Sequence, residues 1–261
     1  MNALARLRSW EGLLLVLLFV IVGFNVTKTP YYLGVGNLVN LFQLSIEKII
    51  IALTMTLIII SGEIDLSVAS VMCLATCVMA RLFEAGVAFP LALAAGLASG
   101  ALAGLINGAC VAYLGLPSLA VTLAGLIGYR GVGRILVQDR AIGGYPSWFD
   151  ALGQQALVGP LTFSIVAFLV LFIVTAVVLS RSFVGRIVYA MGTNLEAARF
   201  SGVRVKRAKL LLFVVSGVNA ASTARRVLAS TPSSESDLMS PRACTVGLFE
   251  YAQDTASIIK R

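Results

Sequence analysis

Residues 87–114 read VAFPLALAAGLASGALAGLINGACVAYL, a run without a single charge. As an α-helix rising 1.5 Å per residue it is about 42 Å long, more than the roughly 30 Å hydrocarbon core of a bilayer. Its apolar residues fall on every side rather than along one stripe, which suits lipid or the inside of a bundle. Within it Gly96, Gly100, Gly104 and Gly108 recur at every fourth position. One ridge of the helix therefore carries no side chains, and another helix backbone can approach it closely. Asn107, next to the last of these glycines, is a polar group at or near the cytoplasmic end. It either bonds a neighbouring helix or lines a substrate path.

The composition of the whole chain agrees with this segment. Of 261 residues, 59% are apolar and 12% are charged, against about 45–50% and about 25% in soluble domains. So few charges cannot cover a soluble surface of this size. A cytosolic enzyme, a nucleic-acid binder and a disordered chain are excluded, and a membrane protein remains. Histidine is absent, which removes the commonest general base and the commonest metal ligand. Cys73, Cys77 and Cys110 lie inside apolar runs, where a thiol acts as a small hydrophobe. Neither they nor Cys244 complete a metal set. No catalytic residue, no metal and no enzymatic activity are expected.

Working outward, further spans are expected at about 10–26, 41–60, 66–80, 117–137 and 161–179, with 87–114 as the fourth. A seventh opens at Leu210 with Leu-Leu-Phe-Val-Val and stops after two or three turns. The fold class is thus all-α, a polytopic helical membrane bundle with six full spans and an interrupted seventh. Arg6 and Arg8 precede the first span, which lacks a small-residue cleavage site and is read as an uncleaved helix. With the N-terminus inside, six crossings return Arg181–Lys209 to the cytoplasm. That loop carries Arg181, Arg186, Arg199, Arg204, Lys206, Arg207 and Lys209 against the single acid Glu196. The positive-inside rule therefore agrees with the crossing count. After about Ala220 the sequence turns polar and rich in Ser and Thr. Residues 1–219 are read as the transmembrane domain. Residues 220–261 are read as a soluble or disordered, non-native tail, a sign of a frameshift or gene-model error.

Ser61-Gly62-Glu63-Ile64-Asp65-Leu66-Ser67 separates the second and third spans. Asp65 or Ser67 can cap the third helix, where a carboxylate suits the positive end of the helix dipole. Alternatively, Glu63 and Asp65, beside a broken helix, contact a polar substrate or a neighbouring subunit, with Ser67 at the same junction. Arg130 and Arg134 stand four residues apart near the outer interface, where arginine usually snorkels. No Gly-x-x-x-x-Gly-Lys-Ser/Thr run exists, so the chain holds no ATP in a P-loop. Any ATP and Mg belong to a partner. The stretch Thr193–Gly202 reads as a short helix ended by glycine, placed on the basic inner loop where such a partner can dock.

Several stretches together resemble the ribose-type bacterial ABC sugar-importer permeases of the branched-chain amino acid/ribose superfamily. They are Ser61–Ser70, Gly104-Leu105-Ile106-Asn107-Gly108, Leu116-Pro117-Ser118, Val121-Thr122-Leu123, Tyr129-Arg130-Gly131, Gly185-Arg186 and Asn194–Val203. The resemblance covers about residues 10–219. It implies a permease subunit that pairs with a second permease chain, as a homo- or heterodimer. It further implies a cytoplasmic P-loop ATPase and a periplasmic sugar-binding protein as partners, in the bacterial inner membrane. The loop with Glu196, Ala197, Ala198 and Gly202 resembles the segment that docks into the ATPase, and the implied substrate is a ribose-, rhamnose- or autoinducer-type sugar. The sequence departs from the family pattern at Glu63, where a small residue is usual, and in its polar tail, where family members continue with further spans. Two other readings stand beside this one. One is an ion- or proton-coupled secondary carrier using Glu63 and Asp65, and the other is a non-functional truncated permease.

Overall fold

The structure is a computed structural model that describes residues 10–29, 31–138, 142, 146, 156–158 and 161–230. The chain divides into two compact units, Met1–Ser45 and Ile46–Arg261. The first contains α1 (Trp10–Lys28) and the opening of α2 (Val35–Ile60). Leu13–Ile21 and Phe24 leave α1 apolar and exposed all round, the surface expected of a helix solvated by lipid. The second unit holds the remainder of α2, then α3 (Val68–Glu84), α4 (Phe89–Ala112) and α5 (Ser118–Val137). An antiparallel pair, β1 (Ala156–Val158) and β2 (Leu161–Thr162), precedes α6 (Phe163–Arg181), α7 (Phe183–Thr193), α8 (Leu195–Phe200) and α9 (Val205–Ser230).

The core of the second unit is α4 clasped between α3 and α9. On one side, Gly96 lies against Met79 and the Ala75 carbonyl of α3. On the other, Gly108 faces Leu210, Gly104 faces Phe213 and Val214, and Gly100 faces Gly217 and Ala221. As the α4 numbers fall the α9 numbers rise, so the two helices run antiparallel in backbone contact. A methyl group on Gly104 would strike the Phe213 carbonyl oxygen, and one on Gly217 would strike that of Gly100. Beyond this contact Ala221 and Ala224 join Ala75, Met79 and Phe89 in a buried cluster.

Two expectations from the sequence are refined here. First, the helix that opens at Val205 runs on past 219/220, although it is not among the described helices apolar enough to cross a membrane. α9 is 26 residues long, about 39 Å, and Ala220, Ala221, Thr223 and Ala224 are buried. Packing between membrane helices favours such residues because small side chains let backbones meet. Residues 231–261 lie outside those described. Second, the count of six full spans is not confirmed. Among the described residues α4 and α5 are each long and apolar enough to cross a membrane, and α6 with α7, bent by 69° at their break, add a third if the pair is one span. α1 and α2 contribute shorter apolar stretches, Gly12–Lys28 and Lys48–Ile60. The all-α expectation also meets one exception, the β1–β2 pair. There β-branched Val158 and Thr162 flank Pro160, and helix begins only at Phe163.

The α4–α9 contact makes opposite predictions for two glycines. Gly104→Ala places its methyl against backbone and lowers stability by about 1–3 kcal/mol. Gly128→Ala, on α5 with nothing within 4 Å, is neutral or raises it by up to about 1 kcal/mol. Thermal unfolding of the detergent-solubilised variants measures both signs.

Candidate functional site

The junction between α2 and α3 is built from both ends. Gly62, in the left-handed region at φ +84°, closes α2. It lets the Glu63 N–H reach the Ile58 carbonyl at 3.1 Å and so satisfies a last-turn acceptor that lipid cannot. The next residues are held by α5. The Ile64 N–H donates to Ser118 Oγ at 3.2 Å, and the Ile64 carbonyl accepts from Thr122 Oγ1 at 3.4 Å.

Asp65 is 3% exposed, and every hydrogen bond it makes is one it accepts. Its Oδ1 takes the Ser67 N–H at 2.9 Å and the Ser67 hydroxyl at 2.6 Å. Its Oδ2 takes the Ser216 hydroxyl of α9 at 2.9 Å. The bond to the Ser67 N–H does the capping at the start of α3, while Ser67, in the N-cap position, makes no side-chain cap bond. Having donated to Asp65, the Ser67 hydroxyl accepts from Asn107 Nδ2 of α4 at 2.8 Å. Asn107 Oδ1 in turn accepts from the Tyr129 hydroxyl of α5 at 2.8 Å. Ser70 adds a hydroxyl bond to the Ser67 carbonyl at 2.6 Å. Donors therefore point one way from Tyr129 through Asn107 and Ser67 to Asp65, with Ser216 donating from the other side. This chain joins α3, α4, α5 and α9. Such a satisfied buried network fixes the geometry of its members.

Glu63 lies at the edge of the junction and forms an ion pair with Lys209 of α9. Their side chains are only 13% and 15% exposed, so each charge relies on the other. Glu63, Asp65, Ser67 and Asn107 are thus gathered in one place. Tyr129, Ser70, Ser216 and Lys209 complete the assembly, and the sequence alone gave no sign of their part in it. The nearest signal was a lone tyrosine and a lone serine inside otherwise apolar runs. Among the described residues no group of His, Cys, Asp and Glu is placed to hold a metal ion.

The segment between α6 and α9 packs directly onto this junction. After the bend from α6, Ser182 Oγ accepts the Gly185 N–H at 3.1 Å, and α7 buries Gly185, Val188 and Met191. Gly192, at its far end, abuts the Ile60 carbonyl at the end of α2. Asn194 then caps α8, its Oδ1 accepting the Ala197 N–H at 3.0 Å. Gly202, at φ +82° with open space around it, ends the turn. Ala198 is buried with Ile58, Val188, Met191, Val205 and Leu212. Glu196, Ala197 and Arg199 stay exposed. Phe200, not singled out from the sequence, stands 91% exposed. Of the four docking-loop residues, Glu196, Ala197 and Gly202 are on the surface, and Ala198 points into the core.

Residues 37–245 match a protein family described as the branched-chain amino acid transport system permease component. The chain is 35% identical over 214 residues to the autoinducer 2 import system permease protein LsrC of Shigella flexneri, covering 80% of this chain and 60% of that protein. It is 35% identical over 223 residues to LsrC of Enterobacter sp. (strain 638), covering 85% and 64%. It is 31% identical over 239 residues to the autoinducer 2 import system permease protein LsrD of Yersinia enterocolitica, covering 89% and 72%. The chain thus spans about 60% of the length of the first of these relatives. No solved structure matches.

The network predicts coupling between Asp65 and Ser216. Asp65→Ala strands three donors and costs on the order of 3 kcal/mol, and Ser216→Ala costs about 1 kcal/mol. The double variant falls short of their sum by about 0.5–1 kcal/mol. Unfolding of the four proteins in detergent measures the cycle.

Proposed function

The chain belongs to the permease-component family of the branched-chain amino acid transport systems, and from that membership we propose that it is the membrane subunit of an ATP-driven importer of a hydroxylated, monosaccharide-type solute. It is a multi-pass inner-membrane protein and a transport subunit rather than an enzyme. The relatives named for autoinducer 2 import favour a sugar-like solute of that class. ATP and Mg are held by a separate P-loop ATPase. A second permease chain completes the path, and a periplasmic binding protein delivers the solute. The N-terminus lies in the cytoplasm, so α7, α8 and the start of α9 face inward.

The observation that carries this reading is the construction of α8. A six-residue helix is capped by Asn194, stopped at Gly202 and rooted by Ala198 among Ile58, Val188 and Val205. Its outer side offers Glu196, Ala197, Arg199 and the bare ring of Phe200. An exposed aromatic ringed by charge is the kind of anchor that fills a partner's pocket. Closure of the ATPase against that anchor pushes on Ile58 and Val205, and through them on the Glu63–Asp65 junction. The spans then move as packed units, which is how alternating access proceeds by rigid-body steps. Coupling to a proton gradient finds less support, because the Glu63 carboxylate is paired with Lys209 and Asp65 already accepts three hydrogen bonds.

Phe200→Ser and Glu196→Lys each weaken ATPase binding at least tenfold, about 1.4 kcal/mol, while insertion into the membrane is unchanged. Co-purification of the ATPase with each variant measures this, and equal recovery with wild type counts against docking on α8. A cysteine at Arg199 reacts with an impermeant thiol reagent only after the membrane is opened. Labelling of intact cells at that position overturns the inward placement.

A further inference from the structure

α6 ends in a built bend. The Ser182 hydroxyl donates to the Val178 carbonyl at 2.5 Å and accepts the Gly185 N–H at 3.1 Å. Gly185 lies so close to the Val178 and Leu179 carbonyl oxygens that a side chain there would strike both. The axes of α6 and α7 therefore meet at a bend of 69°.

That bend places α7. α6 has 19 residues, about 28 Å, close to the roughly 30 Å of a hydrocarbon core. None of its described side chains is buried. It fills a bilayer by itself and ends at Arg181. α7 has 11 residues, about 16 Å. After a turn of 69°, only about 6 Å of that length continues along the α6 axis. The headgroup layer outside the core is about 5–8 Å deep on each side. With α6 along the membrane normal, α7 stays inside that layer from end to end.

The side chains of α7 divide to suit. Gly185, Val188 and Met191 are buried against the protein. Arg181, Phe183, Val184, Arg186 and Tyr189 are exposed, and the Arg186 guanidinium lies 5.7 Å from the centre of the Phe183 ring. Phe183 and Tyr189 are 66% and 49% exposed, as aromatic residues are where headgroups meet acyl chains. No acid occurs between Asp150 and Glu196. Topology alone asks only for basic residues at an inner loop. It does not ask for open aromatic rings beside them on a helix held along the surface. A guanidinium presents a flat fork of donors that suits the two free oxygens of a phosphodiester. A zwitterionic headgroup brings its own cation to that phosphate, and this stretch has no acid to meet it. An anionic headgroup brings none.

We propose that α7 is an interfacial helix on which Arg181, Arg186 and Phe183 hold the headgroup and upper chain of an anionic phospholipid. The proposal goes beyond the importer reading and needs only that α6 spans the bilayer. Its surface is separate from the outer side of α8, which is left to the ATPase.

The test uses the full chain in phospholipid vesicles, alone and assembled with its partner permease and ATPase. A trace of phosphatidylglycerol or of phosphatidylcholine carries a photoreactive diazirine near the glycerol, and mass spectrometry locates the adducts after illumination. On residues 181–193 of the assembled chain, phosphatidylglycerol adducts are expected to exceed phosphatidylcholine adducts by about threefold or more at equal mole fraction. Arg181→Gln combined with Arg186→Gln brings that ratio to about one, whereas Arg181→Lys combined with Arg186→Lys keeps most of it. Equal adducts of the two lipids on the wild-type helix, or none, overturn the headgroup site. Adducts found in the chain alone but lost in the assembly overturn it too, since a partner protein then covers α7. Adducts of both lipids on α6 verify that each variant is inserted. Their absence from the wild type overturns the spanning of α6 and the proposal with it. Uptake of solute enters neither arm, so the importer reading stands or falls separately.

Discussion

The backbone contact between α4 and α9 sets the register on which everything else in the second unit depends. Gly100 and Gly104 of one helix meet Gly217 of the other with no side chain between them. Lipid supplies no hydrophobic drive for helices to associate, so such close packing and the hydrogen bonds it permits are what hold them. Once Gly217 is seated, its neighbour Ser216 falls beside Asp65, and Lys209, two turns earlier, falls beside Glu63. Asn219, on the next turn, reaches Thr54 and the Ile50 carbonyl of α2. A shift of α9 by one residue would separate all three polar contacts at once.

The two ends of the second unit differ in character as a result. At the junction end, charge and hydrogen bonding are closed within the chain, and the short α8 is rooted in the same packing. At the other end α5 leaves Val132 and Ile135 exposed and apolar.

Some of this was legible in the sequence. The four-residue period of the glycines marked close packing, and Gly100, Gly104 and Gly108 do meet α9, whereas Gly96 meets α3. The short helix before Gly202 was marked by the glycine itself, which acts locally, whereas its cap at Asn194 came only with the structure. Contacts between distant segments left no such mark. Lys209 looked like one more member of a basic inner loop, yet it is the partner of Glu63, 146 positions away. Ser216 and Tyr129 became meaningful only when the helices were assembled. The end of α9 was misjudged for a further reason. Ser222, Thr223, Arg225 and Arg226 end the apolar run, yet Ala220, Ala221 and Ala224 among them are buried and are the residue type that lets a helix lie close to its neighbours.

The order of donors in the buried chain has an electrical consequence. A protein set in an energised membrane must not offer ions a wire through its packed helices. The middle link from Tyr129 to Asp65 is the Asn107 side chain, which accepts on its oxygen and donates from its nitrogen. Those are separate atoms of a neutral amide, and a primary amide hands a charge onward only by passing through a high-energy imidic tautomer. Asn107 therefore works as an insulator. From α4 it ties the start of α3 to α5 through polar contacts without making this chain of bonds a proton route.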